Sequence, residues 1–168
     1  QIIRIPNPSV FDFNLIKKYK DVGTSPNYIL ISENEKEIYI SNKGVKRLNY
    51  TSNISVLDIE SGGISYIHLE KGSAITALEQ DEKILYVANS GLHRIDVINI
   101  LKKECVATIK TTLTELQRLQ LSPDKKKLLV TSRSNDGKGV IDIIDTSSNT
   151  IVDTFTFKQK NSIPYDIG

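Results

Sequence analysis

The chain has 168 residues, of which 39% are hydrophobic and 25% are charged, and its formal net charge is +2 at pH 7. These values are typical of a globular protein and exclude a disordered chain, and no apolar run is long enough to span a membrane. The balance of 22 basic and 20 acidic residues gives no electrostatic reason to expect a nucleic-acid partner. The densest basic run, Lys125–Lys127, is expected in a solvated turn.

A short apolar phrase that ends near an Asp or Asn recurs four times along the chain. The Asp or Asn positions of the four copies are Asp12, Asp58, Asn99 and Asp145. Successive copies lie 46, 41 and 46 residues apart, and a period in the forties matches one four-stranded blade of a β-propeller. We expect these four side chains to be structural and to bond the turns inside each blade.

Two further phrases recur in register with the first. One alternates apolar and small polar residues after a polar turn, and its copies occupy residues 37–42, 84–89 and 127–132. The other is a shorter apolar phrase that precedes the turn, at residues 28–31, 72–78, 116–121 and 163–167. Each repeat therefore offers four short segments rich in Val, Ile, Thr and Tyr, which is typical of β-strands.

The repeats predict an all-β fold of β-propeller blades, each made of four antiparallel strands, in about four repeats of 41–47 residues. We treat residues 1–168 as a single domain. Its repeat units are residues 1–22, 23–71, 72–112 and 113–160, and residues 161–168 begin the next unit. The first unit opens on a third strand at residues 9–13 and a fourth at 15–22.

Two arrangements of the blades are open. The chain ends could share one blade, with residues 2–5 as its second strand, and close a ring of four blades. Alternatively the chain is a segment of a larger ring and packs against the remaining blades. The chain contains no Met and stops inside a repeat at Asp166-Ile167-Gly168. We expect the second arrangement, in which the chain is a segment of a larger ring.

The residues that carry the repeat resemble a known family. Residues 84–91 read Ile-Leu-Tyr-Val-Ala-Asn-Ser-Gly, and Ser122-Pro123-Asp124 leads into the strand at 127–132. Both are similar to the YVTN-type β-propeller repeat, named for its Tyr-Val-Thr-Asn strand. The chain departs from that pattern where Ser41 and Ala88 replace Thr and where Glu or Lys replaces the Gly of an Asp-Gly turn. The resemblance implies the fold more than the function, because propellers serve many unrelated tasks.

The connections between second and third strands are the candidate partner-binding surface, because loops on a rigid scaffold often carry function. The candidate residues are Lys43, Lys46, Arg47 and Tyr50 in the first such loop, His93 and Arg94 in the second, and Asn135, Asp136 and Lys138 in the third. His93 and Arg94 lie near the start of a third strand, where propeller pockets often form.

No catalytic or metal-binding signature emerges from the sequence. The two histidines, His68 and His93, fall in successive repeats and do not make a ligand set, so no metal and no cofactor is expected. Cys105 is the only cysteine and lies in a segment that alternates like a strand, which predicts a buried, inert thiol.

The sequence thus indicates a non-catalytic binding or scaffold propeller with a protein partner. The alternative is part of a propeller enzyme, lactonase-like or a cofactor-dependent oxidoreductase, whose site lies partly outside this chain. The family resemblance implies microbial surface or envelope proteins, and therefore an extracytoplasmic location.

Overall fold

The computed structural model describes residues 2–4, 14–17, 23–44, 52–111, 113 and 115–160, and these form strands joined by turns. At the N-terminus two short strands pair antiparallel, β1 (Ile2–Arg4) with β2 (Asn14–Lys17). No helix in the described part of the chain is both long and apolar enough to cross a membrane.

Three four-stranded antiparallel sheets follow, and each takes its strands consecutively from the chain. The first sheet contains β3 (Pro26–Ile31), β4 (Glu37–Asn42), β5 (Asn53–Asp58) and β6 (Ile64–His68). The second contains β7 (Ile75–Asp81), β8 (Ile84–Asn89), β9 (Arg94–Asn99) and β10 (Glu104–Lys110). The third contains β11 (Glu115–Leu121), β12 (Lys127–Arg133), β13 (Lys138–Asp145) and β14 (Thr150–Lys160). The prediction of blade-like, four-stranded antiparallel sheets is confirmed.

The N-terminal unit differs from the sequence-based assignment. β2 pairs directly with β1, with Leu15 opposite Ile3, whereas the second and fourth strands of a blade are not neighbours. The assignment of residues 2–5 as a second strand beside a fourth strand at 15–22 therefore does not fit the pairing. The predicted strands at residues 9–13 and 163–167 lie outside the described residues.

The sheets pack face to face, and the first strand of each later sheet lies against the first and second strands of the sheet before it. Between the first and second sheets the core contains Tyr39, Ile54, Ile67, Ile75, Leu85 and Ile98. Between the second and third sheets it contains Tyr86, Ile95, Ile109, Leu116, Leu128 and Val140. The middle strands of the second sheet are covered on both faces, which explains why their sequences are nearly continuous apolar runs. Burial of this apolar surface is the main force that holds the sheets together.

The first strands of the three sheets, β3, β7 and β11, lie side by side. β7 contacts both β3 and β11, and β11 also packs on β8. The Arg118 guanidinium of β11 lies 5.5 Å from the centroid of the Tyr28 ring of β3, a cation–π distance. The first and third sheets therefore approach each other at their inner strands.

The outermost strands are largely exposed, and this overturns the prediction for Cys105. Cys105 lies on β10 and is exposed, because β10 is the edge of its sheet and no other sheet packs over the thiol. Neighbouring atoms still desolvate the sulfur, and this desolvation, with the negative charge of Asp96, raises the pKa of the thiol.

Candidate partner-binding surface

The antiparallel strand order gives each sheet two distinct ends. One end, the loop end, carries the connections between second and third strands. The opposite end, the turn end, carries the tight turns from first to second and from third to fourth strands. The predicted partner-binding residues that the structure describes lie at the loop end: Lys43, His93, Arg94, Asn135, Asp136 and Lys138. The predicted structural residues Asp58, Asn99 and Asp145 lie at the turn end, because alternate connections of an antiparallel sheet fall at opposite edges.

The base of the first loop is anchored on both sides. The Lys43 amide donates to the Ser25 carbonyl at 3.0 Å, and the Ser52 hydroxyl donates to the Lys43 carbonyl at 2.8 Å. The same hydroxyl lies 2.5 Å from the carbonyl oxygen of Ser73, which ties the loop to the second sheet. The candidates Lys46, Arg47 and Tyr50 lie outside the described residues.

The second connection is a tight turn that ends at His93. His93 is exposed and has a left-handed backbone with φ of 52°. Its carbonyl accepts hydrogen bonds from the Thr111 amide at 3.1 Å and the Thr111 hydroxyl at 3.0 Å. A Cβ at Gly91 would lie 2.1 Å from the Gly72 carbonyl oxygen, so only glycine lets the turn pack this closely on the preceding segment.

The third connection is a polar turn closed by its own side chains. Lys138 Nζ lies 2.7 Å from Asp136 Oδ2, and the Ser134 hydroxyl lies 2.5 Å from Asp136 Oδ1. These two hydrogen bonds, the Lys138 bond foremost, lower the pKa of Asp136 to about 2. Asn135 is exposed at the tip. The turn therefore presents a fixed arrangement of charge.

A buried polar network that the sequence did not reveal supports the second connection. Asn89 Nδ2 donates to Asp96 Oδ2 at 2.7 Å and to the Ser73 hydroxyl at 2.8 Å, and Asn89 Oδ1 accepts from the Ala74 amide at 3.1 Å. Asp96 Oδ1 lies 2.5 Å from Arg94 Nε. Because these groups are buried and mutually satisfied, they fix the position of the loop end relative to the sheet.

Arg94 links this network to solvent. Its guanidinium also lies 2.8 Å from Glu70 Oε2, in the segment that follows the outer strand of the first sheet. Arg94 was predicted as a partner-binding residue, and the structure gives it two acidic partners within the chain. The recurrence of Asn42 and Asn89 at the end of the second-strand phrase was the available sequence signal.

The equivalent positions in the other sheets differ in their partners. In the first sheet, Asn42 Nδ2 donates to Asn53 Oδ1 and to the Ser55 hydroxyl, both at 2.8 Å. In the third sheet the position of Asp96 is occupied by Asp142, whose Oδ1 accepts from the Thr154 hydroxyl at 2.7 Å. Asp142 Oδ2 is buried and has no hydrogen-bond partner among the described residues. Burial raises the pKa of Asp142.

At the turn end, the repeated Asp and Asn side chains bond the turns between third and fourth strands. Asp58 Oδ1 accepts from the Ser61 amide and hydroxyl, both at 2.7 Å. Asn99 Oδ1 accepts from the Lys102 amide at 3.0 Å, and Asp145 Oδ1 accepts from the Ser147 amide at the same distance. The Lys127 ammonium, 2.8 Å from Asp145 Oδ2, and the Ser147 hydroxyl hold the pKa of Asp145 well below its usual range. Asp12 lies outside the described residues.

The turn end also contains an ion-pair cluster that joins all three sheets. Lys125 Nζ pairs with Glu33 Oε1 and lies 3.3 Å from Asp81 Oδ1. The three residues occupy the first-to-second strand turns or their edges in the third, first and second sheets. The basic run lies at a solvated turn, as expected, and Lys125 and Lys127 also have acidic partners within the chain.

Within the described residues, no group of three or more His, Cys, Asp and Glu side chains is placed to hold a metal ion. His68 ends an outer strand of the first sheet, and His93 lies at the loop end of the second. Among the described residues, the predicted partner-binding side chains are spread over the separate second-to-third strand connections of the three sheets.

Comparison with known proteins yields a likeness of structure. No family model matches the chain, and no curated protein does. Among solved structures 442 chains match, so the architecture is a common one. One is a chain of hydrazine synthase from Kuenenia stuttgartiensis, with 26% sequence identity and a TM-score of 0.65 over 79% of this chain. The match covers 37% of the hydrazine synthase chain, so this chain spans just over a third of that length.

Proposed function

We propose that the chain is a non-catalytic scaffold module of the YVTN-type β-propeller class that binds a protein partner through its loop end. In this proposal the three sheets are successive blades, arranged about the inner strands β3, β7 and β11. The contact of Arg118 with Tyr28 across two sheets supports that arrangement. An extracytoplasmic location belongs to the same proposal.

One observation carries the function. The loop end presents polar groups held in fixed positions, by the Asn89–Asp96–Arg94 network in the second sheet and by the Asp136–Lys138 pair in the third. A surface whose side chains are already ordered loses little conformational entropy when a partner binds.

The test compares the two ends by site-specific photo-crosslinking in the native cell. A photoreactive residue replaces exposed Asn135 at the loop end or exposed Lys126 at the turn end. We expect one defined crosslinked protein from position 135 and none from position 126. Lys138→Glu should abolish the crosslink by reversing the charge of the third connection. Equal crosslinking from both ends, or none from position 135, would contradict the proposal.

The second candidate is a part of an enzyme whose site lies partly outside this chain, lactonase-like or cofactor-dependent. The likeness to a hydrazine synthase chain is the observation that favours it. Protein purified from its native source would then carry a bound metal or haem, visible by elemental analysis or in the absorption spectrum. A metal-free, colourless native preparation that still gives the position 135 crosslink would favour the scaffold module instead.

A further inference from the structure

The acidic side chains exposed at the loop end are each paired with a basic side chain from the same end. In the part of the chain that the structure describes, these pairs are Glu70 with Arg94, Glu115 with Arg133 and Asp136 with Lys138. Their nitrogen-to-oxygen distances are 2.8, 4.0 and 2.7 Å. The negative charge exposed at this end is therefore balanced within the chain.

Three further lysines at the loop end add positive charge that is not balanced in this way. Lys43 follows β4, Lys71 lies in the connection from β6 to β7, and Lys110 ends β10. All three are exposed, and none of the ion pairs among the described residues includes them. In the sequence, the loop that begins at Lys43 continues with two more basic residues, Lys46 and Arg47. The exposed surface of the loop end thus has an excess of positive charge, although the charges of the whole chain nearly balance.

Hydrogen bonds to one hydroxyl place Lys43 close to the connection that holds Lys71. The Ser52 hydroxyl oxygen lies 2.8 Å from the carbonyl oxygen of Lys43 and 2.5 Å from that of Ser73. Ser73 follows Lys71 by two residues. Because one hydroxyl reaches both carbonyl groups, Lys43 of the first sheet and the connection to the second sheet are neighbours on the surface.

Arg94 lies between Lys71 and Lys110. Its guanidinium pairs with Glu70, the residue before Lys71. Its backbone lies opposite Lys110 in the pairing of β9 with β10. We call Lys43, Lys71, Arg94 and Lys110 the basic stripe, which runs across the loop end of the first and second sheets.

The support beneath the basic stripe is fixed by hydrogen bonds. The His93 carbonyl accepts hydrogen bonds from the amide and the hydroxyl of Thr111, the residue after Lys110. Asp96, which is buried, holds Arg94 through its Nε atom. The backbone that presents the stripe is therefore ordered before any partner binds, and its ordering does not oppose binding.

We propose that the protein partner of the loop end binds through an acidic segment, rich in Glu or Asp, that lies along the basic stripe. The inference rests on the proposed function, because it names the chemistry of that partner. Lysines without acidic partners in the free chain attract such a segment during encounter and pair with it in the complex. Glu70 lies beside Lys71 and repels a uniformly charged polyanion such as a nucleic acid. A protein segment can place a basic or neutral residue opposite Glu70, so the mixed charge favours a protein.

The first test titrates the purified whole chain into a fluorescent peptide that has Glu at alternate positions, with anisotropy as the readout. We expect saturable binding that weakens as the salt concentration rises, because salt screens exposed charges. A peptide with Gln in place of Glu should not bind. The double variant Lys71→Glu with Lys110→Glu should weaken binding about tenfold, because two attractive contacts become repulsive.

The matched control is Lys83→Glu with Lys102→Glu, which makes the same change in net charge at exposed positions of the turn end of the second sheet. This variant should bind the Glu peptide as the wild-type chain does. Equal weakening in the two double variants would overturn the inference, since net charge and not the stripe would then govern binding. Equal binding of the Gln peptide, or tighter binding of a single-stranded oligonucleotide, would also overturn it.

The crosslink from position 135 in the native cell separates this inference from the function on which it rests. Lys71→Glu with Lys110→Glu should lose most of that crosslink, and Lys83→Glu with Lys102→Glu should keep it. A crosslink that persists in the first double variant would overturn the acidic segment and leave the loop-end function standing. No crosslink in the wild-type chain would overturn both.

Discussion

Lys125, in the turn between β11 and β12, forms an ion pair with Glu33, 92 residues earlier in the turn between β3 and β4. Asp81 of the second sheet lies 3.3 Å from the same ammonium nitrogen. One lysine thus joins the same edge of three sheets. The hydrogen bond from Lys125 lowers the pKa of Glu33, and the bonds to Glu33 and Asp81 raise the pKa of Lys125.

Lys125→Ala should lower the midpoint of urea denaturation slightly, because an exposed ion pair contributes little in water. The difference from wild type should disappear at about 1 M salt, where the Debye length is about 3 Å. It should shrink as the pH falls through the lowered pKa of Glu33, because that partner becomes uncharged, and disappear above the raised pKa of Lys125, because the ammonium is then lost. Lys126→Ala, at the neighbouring exposed position, is the control. A loss that persists at high salt would show a packing role for the Lys125 side chain.

Asn89→Ala should destabilise the protein far more than any loop-end surface change. The substitution removes hydrogen bonds to Asp96, Ser73 and Ala74 and leaves buried polar groups without partners. We expect a loss of about 2–3 kcal/mol in the free energy of unfolding, measured by urea titration. Asn99→Ala removes one partly solvated turn bond and should cost about 0.5–1 kcal/mol. Equal losses in the free energy of unfolding of the two variants would show that the buried hydrogen bonds of Asn89 contribute no more to stability than the exposed turn bond of Asn99.

Asp142→Asn should stabilise the protein at pH 7 and change little at acidic pH. Because burial raises the pKa of Asp142, the folded state holds a proton at pH values where the unfolded state has released it. Stability is therefore lost as the pH rises from the ordinary value of 3.8 through the raised pKa. Asn removes the charge and keeps the oxygen that accepts from Thr154. The gain at pH 7 should be roughly 1 kcal/mol.

Asp96→Asn is the matched comparison in the second sheet. Asp96 occupies the equivalent position but has Arg94 and Asn89 as partners, so the same change removes a favourable charge. We expect a loss of about 1–3 kcal/mol at pH 7. The free energy of unfolding of each variant is measured by urea titration at pH 4 and pH 7. A gain for Asp142→Asn and a loss for Asp96→Asn at pH 7 would establish that the two aspartates differ in their partners. A loss in both would contradict the account of Asp142.

Cys105 should react with a thiol reagent in the folded protein, since its side chain is exposed on the edge strand β10. The reaction should be slower than that of free cysteine near pH 7 and should accelerate above pH 9, because the pKa of the thiol is raised from 9.0 and the thiolate is the nucleophile. Labelling that requires unfolding in urea would contradict the exposure, and Cys105→Ser provides the blank.

The repeat period predicted the three four-stranded sheets because one repeat has the length of four short strands and their connections. The turn positions of Asp58, Asn99 and Asp145 followed from the same register. The Asn89–Asp96–Arg94 network could not be predicted, because it depends on which face of β9 lies against the first sheet. The exposure of Cys105 was missed for a related reason: alternation along a segment shows that it is a strand but not whether the strand lies inside the sheet or at its edge.

Because each of the three four-stranded sheets takes its strands consecutively, none of these three sheets needs a later segment to complete it. During synthesis from the N-terminus, residues 23–68 can form their hydrogen-bonded ladder before β7 leaves the ribosome. Each finished sheet then presents its apolar face as a template on which the next can condense. Hydrogen bonds and ion pairs between the turn ends of nonadjacent sheets, such as that of Lys125 with Glu33, form last, so they report the completion of folding and do not guide it.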